Sequence, residues 1–194
     1  MTKRIGIFGG SFNPIHIGHA IIGSTIMRQQ LVDQLWFMVT PENPFKQGQN
    51  MAAEHHRLRM TELVSRHIPN SVTSAFEMQL PRPSYTIDTL KALQQRFPNC
   101  EFQLIIGADN WANWQKWKSP EEIVKRFNVL IYPRLGYEIT IPLELCERVQ
   151  KLEAPIIEIS STEIRDMISK GHSAAFYTTA QVNEYIIKNN LYRD

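Results

Sequence analysis

The sequence predicts an α/β protein: a doubly wound parallel sheet of five to six strands, with helices on both faces and a small C-terminal helical part. Three observations carry this prediction. Short apolar, β-branched or aromatic runs alternate with stretches of helical periodicity along the chain. The first apolar run, "RIGIF" at 4–8, leads directly into a glycine pair and then a helical pattern. The longest irregular piece, "TPENPFKQGQN" at 40–50, follows a strand pattern, where an open α/β sheet carries its binding loops.

In chain order, strands are expected at 4–8, 34–39 ("QLWFMV"), 71–77 ("SVTSAFE"), 102–107 ("FQLIIG"), 127–132 ("FNVLIY") and 155–159 ("PIIEI"). Helices are expected between them at 17–31, 53–66, 85–96, 120–126 and 142–151, with two more at 161–170 and 179–189 closing the chain. Local signals mark several ends. Ser119-Pro120-Glu121 offers an N-cap, a proline at the first helical position and acid in the first turn, and Gly171 after Lys170 reads as a stop. Ser160 followed three residues later by Glu163 forms a capping-box pattern directly after "PIIEI". No internal repeat, low-complexity tract or long linker divides the 194 residues, so one domain spanning 1–194 is expected, with its helical part at about 160–194.

Composition narrows the classes of function. With 43% apolar and 21% charged residues and no run of eighteen apolar residues, the pattern is that of a globular chain without a membrane span. "MTKR" leads into a strand rather than a secretion signal, and a cytoplasmic location is expected. Cys100 and Cys146 lack CxxC spacing, which leaves no disulfide framework or thiolate zinc site and reads both as buried small hydrophobes. A net charge of +2 is too weak for tracking along nucleic acid, so an anionic partner should be small and locally held. The sequence is compatible with a homo-oligomer.

"GGSFNPIHIGH" at 9–19 carries the chemistry. Gly9 and Gly10 allow close approach of a nucleotide to the main chain and conformations closed to other residues. His16 and His19 share one face of a first helical turn, with Gly18 between them and the helix N-terminus adding amides and partial positive charge. Phosphate binding fits this context. A zinc site would need further ligands, and no cluster of cysteines or acids stands nearby. At the other end of the chain, the amides and hydroxyls of Ser161 and Thr162 in "ISSTEIR", with Arg165, offer a second phosphate cradle, although a capping box alone marks only a helix start.

The first stretch resembles the HxGH signature of the nucleotidyltransferase superfamily of Rossmann-like enzymes. "PSYTIDTL" (83–90), "IIGADNWANWQKW" (105–117), "YPRLGY" (132–137) and the ending "NNLYR" are similar to segments of the bacterial nicotinate-nucleotide adenylyltransferases, over essentially the whole chain. The resemblance implies adenylyl transfer from ATP to nicotinate mononucleotide, with magnesium arriving on ATP and no metal-ligating residue of the protein's own. It implies His16, His19, Lys46 and Arg165 as catalytic residues. ATP would also be held by Gly9, Gly10, Ser11, Phe12, Gly107, Asp109, Ser160, Ser161 and Thr162. The acceptor would meet Asn13, Lys46, Ser84, Tyr85, Thr86, Trp117 and Arg134.

Each of these residues also has a plainer reading. A tryptophan every three residues at Trp111, Trp114 and Trp117 is an ordinary core stripe as well as a source of one stacking surface for a pyridine ring. Thr86 suits simple helix capping as well as contact with the pyridine carboxylate, and Arg134 suits a solvated loop charge. Two departures from the family pattern stand out: Phe45 replaces a histidine in "NPFK", and Asn13 stands where aspartate is frequent. The rivals are an enzyme acting on nicotinamide mononucleotide or another phosphorylated acceptor, and a non-catalytic nucleotide sensor of the same fold.

Overall fold

A computed structural model of the chain describes residues 2–41 and 51–193. Its centre is a six-stranded parallel sheet in the order β3-β2-β1-β4-β5-β6. The strands are β1 (Lys3–Gly10), β2 (Gln34–Val39), β3 (Ser71–Ser74), β4 (Cys100–Gly107), β5 (Asn128–Tyr132) and β6 (Val149–Lys151). The helices are α1 (Ile17–Arg28), α2 (Glu54–Ser65), α3 (Thr86–Arg96), α4 (Ala108–Ala112), α5 (Pro120–Arg126), α6 (Ser161–Ser169) and α7 (Ala180–Lys188). The chain builds outward from β1 through β2 to β3, then returns to lay β4 on the other side of β1. That reversal makes the gap beyond the carboxyl ends of β1 and β4 the topological switch point, where such sheets bind ligands.

Both faces of the sheet are covered, because side chains alternate along each strand. Ile5 and Ile7 of β1, Leu104 and Ile106 of β4 and Val129 and Ile131 of β5 join one buried cluster with α3 and α5. Phe8, Ile105, Leu130 and Tyr132, from intervening positions, join a second cluster with α1, α2, α6 and α7. Near-continuous apolar runs in β1, β4 and β5 follow from burial on both faces.

Several expectations need correction. "PIIEI" at 155–159 is irregular chain outside the sheet, and the sixth strand is β6, inside the stretch expected to be a helix at 142–151. Only Val149 of its three residues is buried, too short a signal for periodicity, and a 3-10 turn at Leu143–Leu145 is all that remains of the helix. The third strand stops at Ser74 and passes into a 3-10 turn, Phe76–Gln79. α1 ends at Arg28, three residues short of the expected boundary, and Gln30 adopts φ 55 beyond it. Short α4 and a 3-10 turn at Trp114–Lys116 fill the tryptophan segment.

Cap signals fared unevenly. Ser160 Oγ accepts from the Glu163 amide at 3.1 Å, and Gly171 ends α6 at φ 78, a conformation open to glycine. Ser119, by contrast, lies in the left-handed region at φ 51 and makes no side-chain cap, so α5 starts on Pro120 and its acidic first turn alone. Cys100 is half-buried and Cys146 exposed, so the expectation of two buried thiols fails.

Candidate active site

The carboxyl end of β1 turns into α1 through Ser11–Pro14, and this turn positions both histidines. Gly9 and Gly10 are extended residues of β1, not the unusual backbone expected of them, and the left-handed position falls instead on Phe12 at φ 45. What Gly9 supplies is space: a Cβ there would meet nothing nearer than Thr40 at 4.0 Å. Phe12 is buried, its ring edge-on to His19 at 5.0 Å, so it walls the site rather than reaching a ligand.

His16 is the N-cap of α1 and is buried, while His19 in the first turn keeps part of its surface exposed. Their rings lie 3.7 Å apart between centroids, tilted by 34°, so they face one space. The glycine between them follows from this packing, because a Cβ at Gly18 would sit 2.9 Å from the His16 ring. The His16 amide donates to His19 Nδ1 at 3.2 Å. An accepting Nδ1 fixes the neutral tautomer of His19, which leaves Nε2–H as a donor toward the cleft.

Burial, reinforced by the nearby Arg134 guanidinium, pulls His16 down to about 3. Burial, then His16 and Arg134, holds His19 well below the ordinary range. Both imidazoles are therefore neutral donors at neutral pH. A folded-state value below the unfolded one means that the unfolded chain takes up the proton first. The stability from neutral His16 is thus complete above about pH 6.5 and declines as pH falls toward 3, by up to about 1.4 kcal/mol per pH unit. Between pH 7 and pH 5 the wild type should lose about 2 kcal/mol more unfolding free energy than His16→Gln, read from urea midpoints at both pH values. Equal losses in the two proteins would contradict a buried neutral His16.

A tight cleft joins the histidines to the ends of β1 and β5; it is lined by Phe8, His16, Gly18, His19, Tyr132, Arg134 and Ile157. Arg134 donates to the Tyr132 hydroxyl at 3.3 Å, and its Nε stands 3.7 Å from Asp109 Oδ1 in the first turn of α4. Tyr132 and Asp109 hold the guanidinium in its charged form against desolvation. Among the described residues, the buried side-chain nitrogens and oxygens without a hydrogen-bond partner are His16 Nδ1, Asp109 Oδ1 and Arg134 Nε, all at this one place.

The start of α6 is bound to the same turn from the far end of the chain. Ser161 Oγ donates to Pro14 O at 2.9 Å, and Arg165 donates to Asn13 O at 2.8 Å and to Thr162 Oγ1 at 3.3 Å. The two segments read from the sequence as candidate phosphate cradles are thus brought together. The detail differs from expectation, because the single Ser161 hydroxyl proton is committed to Pro14 and only the Ser160 and Thr162 hydroxyls retain theirs for a ligand. Ile17, at the head of α1, likewise gives its amide to Tyr177 O at 2.9 Å.

On the other side of β1, an inner cavity of about 270 Å³ is lined by Gly9, Gly10, Ser11, Thr86, Gly107, Trp117 and Tyr132, among others. It adjoins an outer cavity of about 580 Å³ bordered by Ser84, Tyr85, Thr86 and Trp117. Tyr132 lines both the histidine cleft and the inner cavity, so the two chambers meet at its ring. Trp111 and Trp114 are core residues, whereas Trp117 stacks on Trp114 at 5.1 Å and turns its remaining surface to the cavities. Asn13 is a correction: it is buried, and its Oδ1 accepts from Ala52 N at 3.0 Å and from the Tyr192 hydroxyl at 2.8 Å, which makes it a brace of the turn. Lys46 and Phe45 lie outside the described residues.

Residues 7–167 match the cytidylyltransferase-like family model. A probable nicotinate-nucleotide adenylyltransferase of Bacteroides thetaiotaomicron is 41% identical over 183 residues, 94% of this chain and 90% of the relative. One of the same name from Bacteroides fragilis is 42% identical over 185 residues, 95% and 92% of the two chains. The chain belongs to the cytidylyltransferase-like family. In fold it is also similar to a Plasmodium falciparum nicotinic acid mononucleotide adenylyltransferase solved with NaAD, with a TM-score of 0.81, 23% identity and coverage of 98% and 97%. That likeness speaks to the architecture alone.

This cytidylyltransferase-like chain also contains site residues that sequence reading missed. Arg57 of α2 is buried, donating to Ser11 O and Thr40 O at 2.7 Å and to Ala52 O at 3.1 Å. Within "EHHRLR" it looks like any solvated helix charge, and no local signal separates it. Tyr192 sits in the "NNLYR" segment that carried the resemblance, but its bond to Asn13 spans 179 positions and has no local trace. Among the described residues no group of three His, Cys, Asp or Glu is arranged to hold a metal ion, and no helix is long and apolar enough to cross a membrane.

Proposed function

We propose that the chain transfers the adenylyl group of ATP to nicotinate mononucleotide, giving nicotinate adenine dinucleotide and pyrophosphate. The observation that carries this reading is the meeting of the His16 and His19 rings with Arg134 at one cleft beside the start of α1, to whose turn the start of α6 is bound through Ser161 and Arg165. Buried polar groups ordinarily find hydrogen-bond partners; among the described residues His16 Nδ1 in this cleft has none, while Arg134 Nε and Asp109 Oδ1 meet only as an ion pair at 3.7 Å, so the place suits a polar ligand. The inner and outer cavities beyond Tyr132 provide a separate chamber for the acceptor. The names carried by the Bacteroides relatives support the same substrates.

An oxygen of the acceptor phosphate attacks the α-phosphorus of ATP, and the bond from that phosphorus to the bridging oxygen breaks, releasing pyrophosphate. The nucleophile is already anionic at neutral pH, so no general base is needed. Catalysis then rests on in-line positioning and on neutralising charge as it moves to the leaving group. His16 and His19 serve the α- and β-phosphates as neutral donors, and Arg165 with the start of α6 serves the outer phosphates. Lys46 is assigned to the same end on sequence alone. Arg134 serves a nucleotide phosphate, and Asp109 a ribose hydroxyl. Trp117 offers a flat face to the pyridine ring, and the amides of Thr86 and Ile87, ahead of the first intrahelical bonds of α3, suit its carboxylate.

Magnesium enters as part of MgATP, the substrate, and one carboxylate at the cleft is no cage for a resident ion. ATP as donor fits a cytoplasmic location. A thermal-shift series tests the reading: ATP and nicotinate mononucleotide should each raise Tm in a concentration-dependent way, the acid mononucleotide more than its amide. No shift with either substrate at millimolar concentration would reject it.

A further inference from the structure

Five residues line both the inner and the outer cavity: Thr40, Glu77, Thr86, Asn110 and Trp117. They form the neck between the two chambers, and among them only Glu77 is ionisable. Glu77 lies in the 3-10 turn Phe76–Gln79 and is 9% exposed. Its Oε1 accepts from Ser84 Oγ at 2.8 Å, which ties the turn to the segment just ahead of α3, seven residues on.

The cations around the outer rim are occupied elsewhere: Arg82 pairs with Glu54 at 2.6 Å, Lys118 with Asp88 at 2.7 Å, and Lys116 bonds Asn113 at 2.8 Å. Burial pushes the Glu77 carboxyl above the usual range, and the Ser84 and Thr89 hydroxyls pull against it. A buried acid held by hydroxyls is costly to keep, and replacing it with an apolar residue would remove that cost. What it does here is local. The loop 80–83 leading to α3 is largely exposed, so the Glu77–Ser84 bond is its inner anchor. Asp88 and Thr89 amides both close on Tyr85 O, at 2.9 and 3.0 Å, so the amides of Thr86 and Ile87 face forward from whatever position this anchor gives Tyr85.

We propose that Glu77 is a positioning residue for the acceptor: through Ser84 it fixes the Ser84–Thr86 segment at the cavity neck and so sets where the acceptor's ring and acid group are seated. This rests on the acceptor reading given above. Glu77 does not line the histidine cleft to which the reacting phosphates are assigned, so its removal should act on acceptor KM and leave kcat and the KM for ATP alone. The acceptor function, not the negative charge, is what Ser84 requires. Glutamine, whose amide oxygen accepts the same bond, should therefore substitute.

Steady-state kinetics with ATP and nicotinate mononucleotide on wild type, Glu77→Ala, Glu77→Gln and Ser84→Ala test this. Expected in Glu77→Ala is an acceptor KM raised about tenfold or more, with kcat and the KM for ATP within about threefold of wild type. Ser84→Ala should reproduce the rise, and Glu77→Gln should stay within about threefold of wild type. A fall in kcat at unchanged acceptor KM, or a glutamine variant as impaired as alanine, overturns the proposal. Should Glu77→Ala fail to fold, the other two variants decide, and an unchanged acceptor KM in Ser84→Ala overturns it. Wild-type turnover with that result removes the positioning role alone, whereas no wild-type turnover removes the functional reading and the proposal together.

Discussion

Replacing His19 by alanine is expected to lower kcat about 100-fold or more, with the fold intact by circular dichroism and the KM for ATP changed far less. The reason lies in the bond from the His16 amide to His19 Nδ1, which leaves Nε2–H as a fixed neutral donor beside the space that the two rings share. Such a donor is aligned before charge moves toward the leaving pyrophosphate, so its effect is greatest in the transition state. Burial keeps the imidazole neutral, so its contribution is that of a dipole rather than a titrating acid. Glutamine at this position, which also carries an N–H donor, should retain more activity than alanine. Turnover near wild type in His19→Ala would remove it from the chemistry.

The largest effect on stability is expected at Arg57. Its guanidinium donates to the carbonyls of Ser11 and Thr40, just beyond the ends of β1 and β2, and to Ala52 ahead of α2. Arg57→Met keeps much of the apolar stem but leaves buried carbonyls without a donor, at a cost of about 1–3 kcal/mol for each acceptor stranded. A total loss of about 3 kcal/mol, or a fall in Tm of roughly 6–12 °C, is expected for a domain of this size. Since Ser11 and Thr40 both line the inner cavity, acceptor affinity should fall in parallel, below the temperature at which the variant unfolds. An unfolding free energy within about 0.5 kcal/mol of wild type would show that the three bonds are dispensable.

The legible parts of this molecule are those whose physics is local. Strands buried on both faces announce themselves as apolar runs, and β1, β2, β4 and β5 fall within two residues of expectation. The His16–His19 spacing, the Ser160 cap and the glycine stop at Gly171 are likewise set by neighbours in sequence. β6 was illegible because it needs only three residues against β5, with one of them buried. "PIIEI" misled because its apolar residues serve other ends: Ile157 lines the histidine cleft, and Ile159 packs on the core without a strand partner.

The same division runs through the site. Glycine at 18 between two histidines stood out in the sequence, and the structure gives it a packing reason, the His16 ring above it. The braces were not readable. Arg57, Asn13 and Tyr192 act across 46, 39 and 179 positions, and a charge or an aromatic residue looks the same in sequence whether its partner is water or a distant carbonyl. The commitment of Ser161 to Pro14 is of this kind too: its place at the start of α6 was readable, but not that its hydroxyl faces the turn.

One measurement bears most directly on adenylyl transfer across the cleft between α1 and α6: continuous detection of pyrophosphate from the purified chain with MgATP and nicotinate mononucleotide, beside the amide mononucleotide and ATP alone. Expected is pyrophosphate released in equal amount to nicotinate adenine dinucleotide, faster with the acid than with the amide and absent without an acceptor. Pyrophosphate released independently of the mononucleotide, or no release with either one, would contradict it.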